Sequence, residues 1–168
     1  MKLTREMLGG TPLKESDFEK GKTLFYDDQI RTAYNWDAGV AMGKFLAGLK
    51  EGKILGVRCR KCRRVVTPPR VFCEACFSPI EEWVELEDSA VVDSFSICYV
   101  RWDASRVEKP EIPAILLIDG ADRAGIMHML GEVEPDKVKI GMKVKAVWKP
   151  EKERTGSILD IRYFRPVK

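Results

Sequence analysis

The sequence predicts a mainly β protein with N-terminal helices, an α+β chain, on three observations. Helical recurrence of apolar residues is confined to the first third, two matched Cys-x-x-Cys pairs sit in a β-prone segment, and five strand-like runs follow residue 87. These divide the chain into a helical extension (residues 1–53), a metal ribbon (54–86) and a five-stranded barrel (87–168). The full 168 residues can hold one ordinary domain, or two small ones plus an extension.

In the extension, Thr11-Pro12 and Ser16-Asp17 read as helix starts, with Glu15 and Glu19 suited to a first turn. A second helix is better marked. Asn35 or Asp37 can cap it, Gly52 can end it, and Trp36, Val40, Phe45, Leu46 and Leu49 recur along it at roughly helical spacing. Gly39, Gly43 and Gly48 weaken that helix but permit close approach of another surface. Trp36 and Phe45 are therefore candidate partner-docking residues, packing against the chain's own domains being equally economical.

The ribbon rests on Cys59-Arg-Lys-Cys62 and Cys73-Glu-Ala-Cys76, separated by the ten residues Arg63–Phe72. Two such pairs joined by a hairpin give the tetrahedral four-sulfur cage that a structural zinc prefers, with no coordination position left for catalysis. Iron in a rubredoxin-like cage is the competitor, although Arg63 and Phe77 stand where such iron sites often carry glycine. Redox dithiol chemistry fits less well, because neither pair has a Trp-Cys-Gly-Pro-Cys context. Metal binding of order 10 kcal/mol or more would fold a segment too small to hold itself together. Val65-Val66-Thr67 is β-prone, Pro68-Pro69 forces an extended turn, and Trp83-Val84 returns as the last ribbon strand. Arg58, Arg60, Lys61, Arg63, Arg64 and Arg70 surround the cage, and no acidic residue occurs from Gly52 through Cys73. A metal with four thiolates carries a charge of minus two, so these cations exceed what neutralisation requires and form a candidate phosphate-binding patch.

The last segment reads as Ala90–Val100, Ala114–Asp119, Gly125–Glu132, Lys143–Trp148 and Ser157–Phe164, with a turn or short helix around Pro135–Val138. Val91, Phe95, Ile97 and Tyr99 share one phase of the first strand, and Val144, Ala146 and Trp148 alternate with lysines in the fourth. Five strands interrupted between the third and fourth match the order of an OB barrel. Its ligand loops would be Arg101–Pro113 and Lys149–Gly156. Cys98, in an apolar strand pattern, reads as a buried small hydrophobe.

Composition narrows the function. At 45 % apolar and 33 % charged the chain is soluble and globular, and no apolar run approaches the ~20 residues needed to cross a bilayer. The N-terminus lacks a secretory pattern, and metal-spaced cysteines without export point to the cytoplasm. Gln29, Asn35 and His128 are the sole Gln, Asn and His, a depletion of amides typical of thermophile proteins. His128 has no second histidine to work with and reads as structural. There is no Gly-rich phosphate loop, no Gly-x-Ser-x-Gly elbow and no plausible acid–base pair, which leaves no catalytic residues to nominate. This chain binds, bridges or positions something.

The order helix, four-Cys ribbon, OB-like barrel is joined by specific stretches: Phe45-Leu-Ala-Gly-Leu-Lys-Glu-Gly-Lys, Arg58-Cys-Arg-Lys-Cys62, Pro68-Pro-Arg-Val-Phe-Cys-Glu-Ala-Cys76, Glu82-Trp-Val-Glu and Ile140-Gly-Met-Lys-Val. Over about Trp36 to Pro166 it closely resembles the zinc-ribbon/OB-fold family called domain of unknown function thirty-five, the thiolase-associated acyl-CoA proteins. That resemblance implies a helical N-terminus, a rubredoxin-like zinc ribbon and a five-stranded OB-fold barrel. It implies a non-catalytic subunit, with Cys59, Cys62, Cys73 and Cys76 holding structural zinc and acyl-CoA as ligand. The implied partners are thiolase-fold enzymes. In the archaeal branch they are acetoacetyl-CoA thiolase and hydroxymethylglutaryl-CoA synthase of mevalonate synthesis. Lys61, Arg63, Arg64 and Arg70 are then the candidates for the CoA phosphates. Residues 1–33 lie outside the shared core.

A ribbon with an OB fold is also a common single-stranded nucleic-acid binder, with Tyr99, Trp102, Tyr163 and Phe164 as possible stacking faces. Charge argues against it. Residues 86–168 carry fourteen basic and fourteen acidic side chains, whereas residues 57–85 carry six and four, so the barrel lacks the positive groove such binders present.

Overall fold

The structure is a computed structural model, and it describes residues 14–23, 33–80, 82–101, 104–122 and 125–167. The chain divides into two units, residues 1–36 and 37–168. In the first, helix α1 (Glu15–Glu19) is a single short turn whose entry is fixed by the Lys14 N–H donating to Asp17 at 3.0 Å. The start expected at Thr11-Pro12 lies outside the described residues.

The second unit opens with α2 (Gly39–Glu51). Asp37 accepts from the Gly39 N–H at 2.9 Å, and Gly52 ends the helix in the left-handed region at φ 80°. Burial of Phe45 and Leu49 contributes about 1.5–3 kcal/mol each. That outweighs the roughly 1 kcal/mol that each interior glycine, Gly43 and Gly48, costs. Gly48 is where the close approach occurs: a Cβ there would stand 2.7 Å from Leu55 Cγ, whereas one at Gly43 would meet nothing within 4 Å.

The ribbon sheet has the order β2 (Val65–Val66), β1 (Ile54–Arg58), β3 (Glu82–Leu86), all antiparallel. It has its own small core of Val57, Val66, Ile80 and two of the cysteines, with Trp83 against it. No spacer separates ribbon from barrel. Asp122, in the turn between two barrel strands, accepts from the Val65 N–H at 2.7 Å and donates its own N–H to the Val65 carbonyl at 2.8 Å.

The barrel sheet runs β10 (Ile161–Pro166), β9 (Lys143–Trp148), β4 (Ser89–Phe95), β7 (Pro113–Ile118), β8 (Gly125–Met129). A parallel bridge between Leu130 and Phe164 brings the β8 side back to β10, which gives the strand order of an OB barrel. Short 3₁₀ turns occupy Pro135–Lys137, Glu151–Glu153 and Ile158–Asp160. Phe45, Leu49 and Ile54 share one core with barrel residues such as Val92, Leu116, Val144 and Phe164, so α2 is an integral wall of the barrel module.

Two expectations for the barrel change. The run Ala90–Val100 is not one strand: the β4–β7 register shifts between Val92 and Ser94, so Phe95 joins Ala90 and Val92 on the core side instead of sharing the phase of Val91. An unpaired Asp93 re-aims the chain there, as a bulge does. The supposed loop Arg101–Pro113 contains a strand, β6 (Arg106–Glu111), which pairs with β5 (Cys98–Val100) and is clamped by Arg101 donating twice to one Glu111 oxygen at 2.9 and 2.7 Å. Cys98 is only half-buried in it.

Candidate metal centre and ribbon surface

Each Cys-x-x-Cys pair is folded by the same backbone pattern. Cys59 N–H donates to Arg64 O and Arg63 N–H returns to Cys59 O, both at 2.8 Å. Fourteen residues on, Cys73 N–H donates to Ser78 O and Phe77 N–H returns to Cys73 O, again at 2.8 Å. To close so tight a turn, the residue after each second cysteine takes a left-handed conformation, Arg63 at φ 64° and Phe77 at φ 56°. Glycine would adopt it without cost.

The two turns face each other and bring all four Sγ atoms within 4.8 Å of one another. Cys59 lies 3.6 Å from Cys76 and Cys62 lies 3.4 Å from Cys73. A tetrahedral zinc with bonds of ~2.3 Å needs sulfur–sulfur edges of about 3.8 Å, so the donor set fits. Cys59 and Cys73 are buried, Cys76 is half-buried and Cys62 is exposed. Ligation requires thiolates, and the turn prepares them. The Ser78 hydroxyl and N–H lower the Cys76 thiol to about 6, and the Ala75 and Cys76 N–H groups lower that of Cys73. The Arg64 N–H also works to lower Cys62, but its sharing of a proton with Cys73, with burial and the other sulfurs, pushes it up to about 11. A divalent cation relieves that conflict, since it displaces the remaining protons.

The cations around the cage divide. Arg58 is held by Glu82 at 2.9 Å, and Glu74 draws both Arg70, at 2.8 Å, and Arg64, at 3.9 Å. Among the described residues Arg60, Lys61 and Arg63 have no ion-pair partner. Of the four residues nominated for phosphate, Lys61 and Arg63 are thus open, while Arg64 and Arg70 share an acid that itself comes from the second knuckle. Arg60 joins the open pair.

Phe45 corrects the docking assignment. It is 2 % exposed and points into the shared core, so it presents no surface to a partner. Trp36 is 85 % exposed and pairs with Tyr34, their ring centroids 6.2 Å apart. On α2 the exposed large apolar residues are Val40 and Met42 rather than Phe45. His128 is buried, contacts the edge of Phe164, and has its two ring nitrogens within hydrogen-bonding distance of the Met129 N–H and the Ile158 carbonyl.

A cleft of about 510 Å³ that the sequence did not mark opens between α2, Pro68, β8 and the 156–158 turn. Its walls include Met42, Leu46, Met127, Ser157 and Ile158, and among the described residues no charged side chain lines it, in a chain that is 33 % charged. Asp160, wholly buried, builds one wall. Its carboxylate accepts from the N–H groups of Gly156 at 2.7 Å, Ser157 at 3.0 Å and Thr155 at 3.0 Å. The three donors lie three, four and five residues before it, a relation that single-residue patterning does not display.

Fold and site together define a Cys₄ zinc-ribbon/OB-fold protein. The rubredoxin-like zinc ribbon domain of ChsH2 matches residues 46–82, and the C-terminal OB-fold domain of ChsH2 matches residues 83–149. A DUF35 domain-containing scaffold protein from Methanocaldococcus jannaschii is 31 % identical over 101 residues, which cover 60 % of this chain and 70 % of that one. The chain belongs to the DUF35 family. A crystal structure of a DUF35 protein of unknown function from Sulfolobus solfataricus is 30 % identical, with a TM-score of 0.59 over 76 % of this chain and 84 % of that one. The Ltp2–ChsH2(DUF35) aldolase, at 23 % identity and a TM-score of 0.55 over 81 % of this chain and 98 % of that one, shares the fold. Among the described residues no helix is long and apolar enough to cross a membrane.

Proposed function

We propose that this chain is a cytoplasmic, non-catalytic scaffold subunit that holds an acyl-CoA while it associates with thiolase-fold condensing enzymes. Structural zinc keeps its ribbon folded. The observation that carries the reading is its membership of the DUF35 family beside a relative described as a scaffold protein. The fold's occurrence in an aldolase assembly and a cleft whose described lining carries no charge, which suits the neutral arm of a thioester, support it. The partners we assign are acetoacetyl-CoA thiolase and hydroxymethylglutaryl-CoA synthase, in mevalonate synthesis, with Trp36 in the contact. Lys61 and Arg63, with Arg64 and Arg70 behind them, take the CoA phosphates.

The chemistry gives a scaffold a purpose. Condensing two acetyl-CoA molecules is uphill, so passing the product directly to a second condensation keeps its free concentration low, and proximity raises its effective concentration at the next site. Reconstitution tests this. With thiolase and synthase held at fixed concentration, adding the chain should lower free acetoacetyl-CoA while raising final product. An unchanged free pool would count against a scaffold.

A further inference from the structure

The proposed acyl-CoA reading leaves open which part of the ligand meets the ribbon and what besides charge would recognise it. The two knuckles supply an answer. Each left-handed position, Arg63 and Phe77, is one that glycine would fill without strain, yet each carries a large side chain. Phe77 is 77 % exposed, so it contributes little to the ribbon core. Its placement is set by the centre itself. Phe77 directly follows Cys76, whose Sγ lies 3.6 Å from that of Cys59, and Arg60 and Lys61 directly follow Cys59. Arg63 directly follows Cys62, the fourth member of the same cluster. Two exposed aromatics, Phe77 and the less exposed Phe72 beside Cys73, and three cations without an ion-pair partner among the described residues therefore stand within two residues of one sulfur cluster; Phe77, at 77 % against 47 %, offers the larger free face. A flat apolar ring beside clustered positive charge is the pairing that binds a purine and its phosphates together.

We infer that the knuckle tip is an adenine-nucleotide site: Phe77 stacks on the adenine of the bound CoA while Arg60, Lys61 and Arg63 hold its phosphates. The inference rests on the acyl-CoA reading but has its own test. Adenosine 3′,5′-bisphosphate, which carries the adenine and a ribose phosphate without any acyl arm, is titrated into the full-length zinc-loaded protein by calorimetry. Saturable binding is expected, weakened about five- to tenfold in Phe77→Leu and more in the Lys61→Gln/Arg63→Gln double variant. Phe77→Gly separates function from folding. It relieves the left-handed strain, so zinc content and melting temperature should hold or rise while nucleotide affinity falls. Three results would overturn the site: no binding at millimolar bisphosphate, equal binding by Phe77→Leu, or stronger Phe77-dependent binding of oligo(dT) than of the bisphosphate. Bisphosphate binding with no thiolase-fold partner would leave the site standing and remove the scaffold. Capture of a partner without bisphosphate binding would do the reverse.

Discussion

Replacing Asp160 with alanine should destabilise the protein by about 3 kcal/mol at neutral pH, because three backbone donors lose a charged acceptor in a dry site. Asp160 is 0 % exposed, and its carboxylate gathers the N–H groups of Gly156, Ser157 and Thr155 at 2.7–3.0 Å. Each hydrogen bond to a charged group is worth ~1.5–3 kcal/mol, and buried donors without an acceptor add desolvation. Partial rehydration of the loop offsets some of that sum, which is why the expected loss stays near one strong bond and a half. The effect should depend on pH. Burial alone would push this carboxyl up, but the donors of Ser157, Thr155 and Gly156, with Lys149 nearby, outweigh burial and hold it below the usual range. A group whose folded value is depressed stabilises fully above its unfolded value, about 3.9, and loses that contribution as pH falls through the folded value. Urea unfolding of wild type and Asp160→Ala at pH 7, 5 and 3 measures this. The gap should be equal at pH 7 and 5 and narrower at pH 3. A gap under 1 kcal/mol at neutral pH, or one that widens in acid, would refute the reasoning. Asp160→Asn, which keeps one acceptor oxygen, should lie between.

Other outcomes follow from the same geometry. One zinc per chain is expected by elemental analysis, and stripping it with a chelator, or Cys73→Ala, should unfold the ribbon and expose Trp83, read as a shift of tryptophan fluorescence. The two interior glycines of α2 should respond oppositely. Gly48→Ala forces a Cβ to 2.7 Å from Leu55 and should cost ~1–3 kcal/mol, while Gly43→Ala meets nothing and should stabilise by about 0.5–1 kcal/mol in the same urea assay. Trp36→Ala should abolish partner capture without lowering the melting temperature, whereas Phe45→Ala should lower stability by ~3–5 kcal/mol because that ring is in the core.

Legibility in the sequence followed how local each determinant is. The four cysteines, the Gly52 stop and the alternation of Val144 and Ala146 are set by residues a few positions apart, and the structure places them as their spacing requires. The phase of β4 is not legible because an unpaired Asp93 shifts every later side chain to the other face, and nothing in that residue announces a bulge. The strand β6 is not legible because Pro110 and scattered charge break its alternation, and the Arg101–Glu111 clamp joins residues ten apart. The stripe on α2 shows that one face is apolar but not what covers it, so sequence alone leaves Phe45 as a docking candidate when the barrel in fact buries it. The capture of Arg64 and Arg70 by Glu74 was hidden for a related reason: the acid lies on the opposite knuckle, just beyond the acid-free stretch.

The scaffold claim is tested most directly by affinity capture of the tagged full-length chain from its own cell extract at moderate salt, with mass spectrometry of the bound proteins. Stoichiometric recovery of a thiolase or synthase, lost with Trp36→Ala, is the expected result. Recovery of nuclease-sensitive ribosomal or replication proteins, without any thiolase-fold enzyme, would contradict it.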